Sequence, residues 1–127
     1  MTMSLSTTVL FVKNQSFIKK LGYAVNGFIY AVKTEHNMRR HLAAALLALV
    51  VFAWRQPSAI WWALIVLCIA LVWAAELINS AVEALIDHLH PTIHPRIGHI
   101  KDMLAAMVLV FSVAAVVVGV LALASTW

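Results

Sequence analysis

The chain has 127 residues, a mean hydropathy of +0.95 and 64% apolar residues, whereas a soluble domain has about 45–50%. Only 11% of the residues are charged, so the composition excludes an ordinary water-soluble core and makes the lipid bilayer the expected solvent. The length allows one domain, and the single cysteine, Cys68, excludes an internal disulfide.

The N-terminal part predicts a surface helix. Residues 1–16 are expected to be flexible, and they lack the basic start of a secretory signal. From 17 to 33, apolar residues recur at helical spacing, with Lys19 and Lys20 at other positions. A basic amphipathic helix of this kind is typical of the membrane surface. An ordinary helix packed on the rest of the chain is the alternative.

Three apolar runs follow, and they predict three transmembrane helices at about 37–55, 59–86 and 101–124. Pro57 and its polar neighbours predict a tight turn between the first two spans. Pro91 and Pro95 predict a longer loop, from His88 to His99, before the third span. The predicted fold class is therefore all-α, an integral membrane protein with a surface helix ahead of three spans, and residues 17–127 form a single membrane-embedded domain.

The basic residues predict the orientation. Arg96 and Lys101 lie in the second predicted loop, and only Arg55 lies in the first. Six more precede the first apolar run: Lys13, Lys19, Lys20, Lys33, Arg39 and Arg40. The positive-inside rule places the N-terminus and the second loop in the cytoplasm. No nucleic-acid partner is expected.

The second predicted span carries an acidic stripe. Glu76, Asn79, Glu83 and Asp87 are spaced at offsets that place them within about 90° on one helix face. An acidic residue at the centre of a span costs about 2.5–3.5 kcal/mol and usually marks a functional site. The alternative is that these groups are protonated, or paired with basic residues for helix assembly.

Crowded carboxylates at a membrane boundary suit a magnesium site. Mg²⁺ is typically held by one or two carboxylates together with substrate phosphates, and a carboxylate in apolar surroundings becomes a better general base. Lys101 lies at the same predicted level and could neutralise a phosphate, or it could serve only as a topology charge. Asp102 could be a helix N-terminal charge. Neither of the two common glycine-rich nucleotide-binding loops is present.

The string ELINSAVEALID at residues 76–87, followed by Lys101 and Asp102, resembles the signature of the small prokaryotic diacylglycerol kinase family, which includes undecaprenol kinases. GYAVNG at residues 22–27 and EHNMRRH at residues 35–41 are also similar to it, and the resemblance covers roughly 17–115. It implies a homotrimeric enzyme that phosphorylates a lipid hydroxyl with MgATP at the cytoplasmic face of a bacterial inner membrane.

The resemblance also implies a role for individual residues. Glu76 would be the general base, and Glu35 and Glu83 would bind the metal ions. The residues implied to contact the nucleotide or its phosphates are Asn79, Lys101, Asp102, Tyr23, Gly22 and His94. In Glu35, Asn37, Arg39 and His41 the chain is similar to the undecaprenol kinases, whereas diacylglycerol-specific members have an acidic residue in place of His41.

Three other functions stay open on sequence alone. The acidic stripe could serve a small proton or ion transporter as a relay. It could instead bind a basic helix of a partner protein, in a membrane adaptor without catalysis. His88, His90 and His94 could bind a transition metal, although plain interfacial histidines are the simpler interpretation.

The predicted topology can be tested by attaching a reporter enzyme after Trp127. Three spans place the C-terminus outside when the N-terminus is in the cytoplasm. We therefore expect activity after Trp127 from a reporter that works only outside the cytoplasm, and none from one that works only inside it. Cytoplasmic activity of the reporter at Trp127 would contradict the three-span arrangement.

Overall fold

The structure is a computed structural model that describes residues 16–127, and this part of the chain consists of four helices with no strand. We number them α1 (Phe17–Thr34), α2 (His36–Arg55), α3 (Ala59–Leu89) and α4 (Pro95–Ala124). The predicted all-α class is confirmed. The prediction for residues 1–15 lies outside the described residues.

Helix α1 begins at Phe17, the residue at which the surface helix was predicted to begin. Ser16 is its N-cap, because the Ser16 hydroxyl accepts a hydrogen bond from the Lys19 amide at 3.4 Å. Most of α1 is exposed, and Ala31 is its one buried residue. The Phe28 ring packs on Trp73 of α3 with the ring centroids 5.5 Å apart. This contact attaches the C-terminal half of α1 to α3, and the surface position of the helix stays a prediction.

Glu35 separates α1 from α2 in an extended conformation. Its amide still bonds to the Ala31 carbonyl at 2.8 Å. The Arg39 guanidinium reaches back to the carbonyls of Val32 and Lys33, at 2.9 and 3.0 Å. Carbonyls at a helix C-terminus lack intrahelical partners, so Arg39 satisfies two of them and fixes the α1–α2 elbow.

The turn between α2 and α3 is the predicted one. Helix α2 ends at Arg55, and Gln56 adopts the left-handed conformation (φ 53°) with its amide bonded to the Phe52 carbonyl. Pro57 follows, and Ser58 is the N-cap of α3. The left-handed residue closes the last turn of α2, and the proline prevents the helix from continuing.

The predicted loop from His88 to His99 is wrong at both ends. Helix α3 runs on to Leu89, and α4 starts at Pro95. A proline is tolerated at the first helical position, where its missing N–H has no partner to lose. The His94 ring caps this helix by accepting from the Arg96 amide at 3.1 Å. Asp102 consequently lies about two turns inside α4, and the interpretation of it as an N-terminal helix charge is also wrong.

Helices α3 and α4 are the longest pair, and both are long and apolar enough to cross a membrane. Helix α2 has 20 residues, or about 30 Å at 1.5 Å per residue, which equals the hydrocarbon thickness. It does not meet the same hydropathy measure, because arginines and histidines fill its first turns. Two candidate spans are therefore found, and the third stays a prediction.

The helices meet in a small core and leave much apolar surface outside. Phe52, Ile65 and Ala122, one residue from each of α2, α3 and α4, form the core cluster, and Trp62 packs edge-on against Phe52. Many large apolar side chains point outward, among them Leu47, Val66 and Val110. An exposed apolar surface of this extent indicates lipid or protein contact.

Arg55 connects the ends of α2 and α4. Its guanidinium donates to the Thr126 hydroxyl at 2.9 Å and to the Thr126 carbonyl at 3.0 Å. It also lies 4.0 Å from the centroid of the Trp127 ring and 5.4 Å from that of Trp54. Two charge-assisted hydrogen bonds and two cation–π contacts thus hold one end of the bundle together.

We expect Arg55→Ala to lower the free energy of unfolding by about 2 kcal/mol, because it removes hydrogen bonds from a charged donor. Arg55→Lys should recover only part of this, since an ammonium group lacks the planar fork. Thermal unfolding in detergent measures both. Arg96→Ala, which removes an exposed arginine, is the control and should change little. Equal melting temperatures for Arg55→Ala and the control would contradict the contact's importance.

Candidate functional site

The acidic stripe of α3 passes from a buried to an exposed environment. Glu76 is 2% exposed and Asn79 is 8% exposed, and they are the two buried polar residues in the described part of the chain. Glu83 is half-buried and Asp87 is exposed. The four residues therefore form a graded path of about 16 Å from the apolar interior to the end of α3.

Helix α2 supplies a partner for the most buried carboxylate. The Nε2 atom of His41 lies 3.5 Å from Oε2 of Glu76, and the Glu76 side chain is 3% exposed. A buried charge is costly unless it is paired. The His41–Glu76 contact is therefore the interaction that allows a carboxylate at this depth.

Two further carboxylates lie near the stripe. Glu83 is within electrostatic reach of Glu35, Glu76 and Asp87, and of Lys101, the one cation among residues 16–127 that acts on it. The α1–α2 elbow thus brings Glu35 towards the same end of α3 as Glu83. Like charges that approach without a counterion repel one another, so this arrangement favours a cation among them.

The donor set fits magnesium better than a transition metal. Within residues 16–127 no three histidine, cysteine or acidic side chains are grouped closely enough to form a complete metal site. Mg²⁺ needs only one or two carboxylates when phosphates and water complete its shell. Glu35 and Glu83 meet that requirement. The rings of His90 and His94 pack edge to face with their centroids 6.2 Å apart, but they form no such group.

Buried polar oxygens on α3 have unused hydrogen-bonding capacity. Asn79 Oδ1 and Ser80 Oγ have no partner among the described residues. A buried acceptor without a partner costs about 1–3 kcal/mol, so native proteins usually satisfy it with water or a ligand. The position of Asn79 between Glu76 and Glu83 makes it a suitable contact for a bound polar molecule.

Lys101 and His94 share a pocket at the end of the bundle. The Lys101 ammonium donates to the Asp87 carboxylate at 2.6 Å. A cavity of about 160 Å³ is lined by this pair, by His94 and by Gly98. The structure thus brings together two of the residues implied to contact the nucleotide, and Asp87 holds the lysine in place.

The remaining predicted residues are more exposed. Asp102 is exposed on α4. Tyr23 on α1 is 44% exposed. A Cβ placed on Gly22 meets nothing within 4 Å among the described residues, so this part of α1 is open to a ligand. No hydrogen bond or ion pair within the described part of the chain joins Gly22 or Tyr23 to the α3 stripe.

An apolar cavity lies between α2, α3 and α4. Its volume is about 300 Å³, and its lining includes His41, Ala45, Cys68, Val72 and Ser112. His41 therefore faces both the cavity and Glu76. Ser112 Oγ is buried without a partner in the described residues. The cavity has the dimensions and apolar character of a small-molecule or acyl-chain site.

Comparison with known proteins identifies the family of this chain. The sequence profile described as "Prokaryotic diacylglycerol kinase" matches residues 22–123. The chain belongs to the prokaryotic diacylglycerol kinase family. It is 36% identical over 100 residues to "Diacylglycerol kinase" of Escherichia coli K12, covering 79% of this chain and 82% of that one.

Two further relatives are almost as similar to this chain, and one of them has a different name. The chain is 33% identical over 105 residues to "Undecaprenol kinase" of Bacillus subtilis 168, covering 83% of this chain and 85% of that one. It is 33% identical over 98 residues to "Diacylglycerol kinase" of Synechocystis, covering 76% of this chain and 56% of that one. These identities show the family, but they do not distinguish diacylglycerol from undecaprenol as the substrate.

Sequence reasoning missed two contacts in this member of the diacylglycerol kinase family. His41 entered only through the resemblance, and the Arg39 clamp was not predicted. Both contacts join different helices, so periodicity along one helix gives no sign of them. The available signal was that a carboxylate buried on one helix requires a polar partner on another.

The Arg39 clamp predicts the behaviour of the elbow that presents Glu35. Arg39→Ala removes two bonds to the end of α1, so we expect faster hydrogen exchange of the amides at 31–35. Arg40→Ala is the matched control, because Arg40 is the adjacent exposed arginine. Equal exchange rates in the two variants would show that Arg39 does not hold the elbow.

Proposed function

We propose that this chain transfers the γ-phosphoryl group of ATP to the hydroxyl of a membrane lipid alcohol, diacylglycerol or undecaprenol, to give phosphatidic acid or undecaprenyl phosphate. The observation that carries the proposal is a buried carboxylate, Glu76, that lies between an apolar cavity and a polar path to the end of the bundle. A lipid hydroxyl and a nucleotide approach such a carboxylate from opposite sides.

Glu76 is the proposed general base. It accepts the proton of the lipid hydroxyl as the hydroxyl oxygen bonds to the γ-phosphorus and the bond to the bridging oxygen of ADP breaks. A general base typically increases the rate about 10²–10⁴-fold. In phosphoryl transfer, positioning and charge stabilisation supply most of the remaining rate enhancement.

The polar end of the site suits the phosphates. Lys101 can exchange its contact with Asp87 for a phosphate oxygen, and the amide of Asn79 lies one turn from the base. Glu35 and Glu83 would hold Mg²⁺, which when bound neutralises the phosphate charge. Asp102, Tyr23, Gly22 and His94 are proposed to contact the nucleotide, supported by the openness of α1 and by the pocket shared by His94 and Lys101.

The apolar cavity suits the lipid chain. It lies between three helices with His41 in its lining, so a lipid chain seated there with its hydroxyl beside His41 would present that hydroxyl towards Glu76. Holding the hydroxyl beside the base supplies the proximity contribution to the rate. An assay with both lipids distinguishes an acyl from a prenyl lipid chain in this cavity.

The proposed assembly is a homotrimer in a bacterial cytoplasmic membrane, with α2, α3 and α4 as spans, α1 on the cytoplasmic surface and the N-terminus inside. Its support is the outward-facing apolar surface of α3 and α4. The acidic end of α3 and the basic residues then share the cytoplasmic side.

A transporter would need polar groups along the whole span. Residues 59–75 of α3 carry no charged residue, so the stripe stops partway along the helix, which suits a site at an interface better than a relay. We therefore prefer the kinase to the transporter.

The deciding assay uses labelled ATP with diacylglycerol and undecaprenol side by side in mixed micelles. We expect transfer to at least one lipid, and Glu76→Gln should reduce kcat by about a hundredfold or more. The amide keeps the side-chain shape, so an unchanged melting temperature shows that the variant is folded. Wild-type-like lipid phosphorylation by Glu76→Gln would remove Glu76 from the mechanism.

A further inference from the structure

His41 is placed by the packed face of α2. Met38, Ala45 and Phe52 are buried on the same helix, and residues at offsets of three, four and seven share one face. His41 belongs to this face, so its ring is directed towards α3 by the same packing. The histidine is therefore held at a defined distance from Glu76 by the bundle and not by a flexible loop.

The contact with His41 is the one ion pair of Glu76 among the described residues. Glu83 on the same helix is within electrostatic reach of Glu76 and repels its carboxylate, and Glu35 from the elbow acts in turn on Glu83. Helix α1 contributes Phe28 beside Trp73, and α4 contributes Ser112 across the cavity. Of these side chains, His41 is the one that lies against the Glu76 carboxylate.

One oxygen of the carboxylate is involved in the contact. Oε2 faces Nε2 of His41 at 3.5 Å, which leaves Oε1 available to another group. A base that accepts a proton in a transition state must have one lone pair directed at the donor. A fixed Oε2 therefore restricts the orientation in which Oε1 is presented.

We propose that His41 is a positioning residue for Glu76: it fixes one carboxylate oxygen and so keeps the other directed at the lipid hydroxyl. The inference rests on the proposed function of Glu76 as general base. His41 needs a proton on Nε2 for this role, which either the imidazolium or one neutral tautomer supplies. The ring also borders the cavity, so it limits where the lipid hydroxyl can lie.

The kinetic test compares His41→Ala and His41→Gln. We expect His41→Ala to lower kcat by about ten- to a hundredfold, the range for losing a hydrogen-bonded charged group, with KM for MgATP changed by less than about twofold. His41→Gln should recover part of kcat, because its amide can donate to Oε2. His99→Gln is the matched control and should retain wild-type kinetics, since His99 is exposed on α4.

A measurement without turnover separates this inference from the proposed function. The infrared carboxyl stretching band of Glu76 should differ in frequency between the wild-type protein and His41→Ala, because the ring nitrogen that faces Oε2 is lost. Adding Glu76→Gln to His41→Ala should remove that band and so assign it. If the wild-type protein phosphorylates neither lipid, the proposed function fails, but the band still tests whether His41 acts on Oε2 of Glu76.

A kcat for His41→Ala within about twofold of wild type, or the same infrared spectrum in both proteins, would show that His41 does not position Glu76. Equal loss of kcat in the Ala and Gln variants, with a matching rise in KM, would indicate a structural role only. If His41→Ala does not fold, His41→Gln carries the same two measurements.

Discussion

The structure depends on the burial of one carboxylate in an apolar bundle. Glu76 is almost fully enclosed, and a carboxylate at such depth is unfavourable by several kcal/mol unless a partner offsets it. His41 is that partner, so α2 has to lie against α3 in one register. The Arg39 clamp joins one end of α2 to α1, and the Arg55 contacts join the other end to the residues that follow α4. Both ends of the helix that carries His41 are thus attached to neighbouring parts of the chain.

The arrangement also gives the two ends of the bundle different chemistry. Tryptophans and a fully engaged arginine lie at the turn between α2 and α3, where side chains of this type favour a membrane interface. Carboxylates, Lys101 and His94 lie at the other end, where α3 extends through Leu89. Because the carboxylates are confined to one end, the proposed nucleotide would have one polar route to Glu76, while the proposed lipid would reach it from the apolar side.

The parts of the site that lie on one helix could be predicted from the sequence. The shared face of Glu76, Asn79 and Glu83 follows from 3.6 residues per turn, and Pro57 correctly predicted the turn after α2. The bounds of the loop before α4 were wrong, because Pro95 was predicted to lie within the loop when it begins the helix. Contacts between helices, such as His41 with Glu76, depend on register and rotation, which one sequence does not encode in any short pattern.

Two unsatisfied features remain in the single chain, and they call for different partners. Asn79 Oδ1 and Ser80 Oγ are buried acceptors without partners in the described residues, and only a polar ligand or ordered water can satisfy them. Apolar side chains such as Val66 and Val110 face outward, and only lipid or another apolar surface can cover these. A lipid kinase supplies both kinds of partner, since its nucleotide is polar and its second substrate and its solvent are apolar. The fold therefore leaves open the two kinds of surface that the proposed reaction uses.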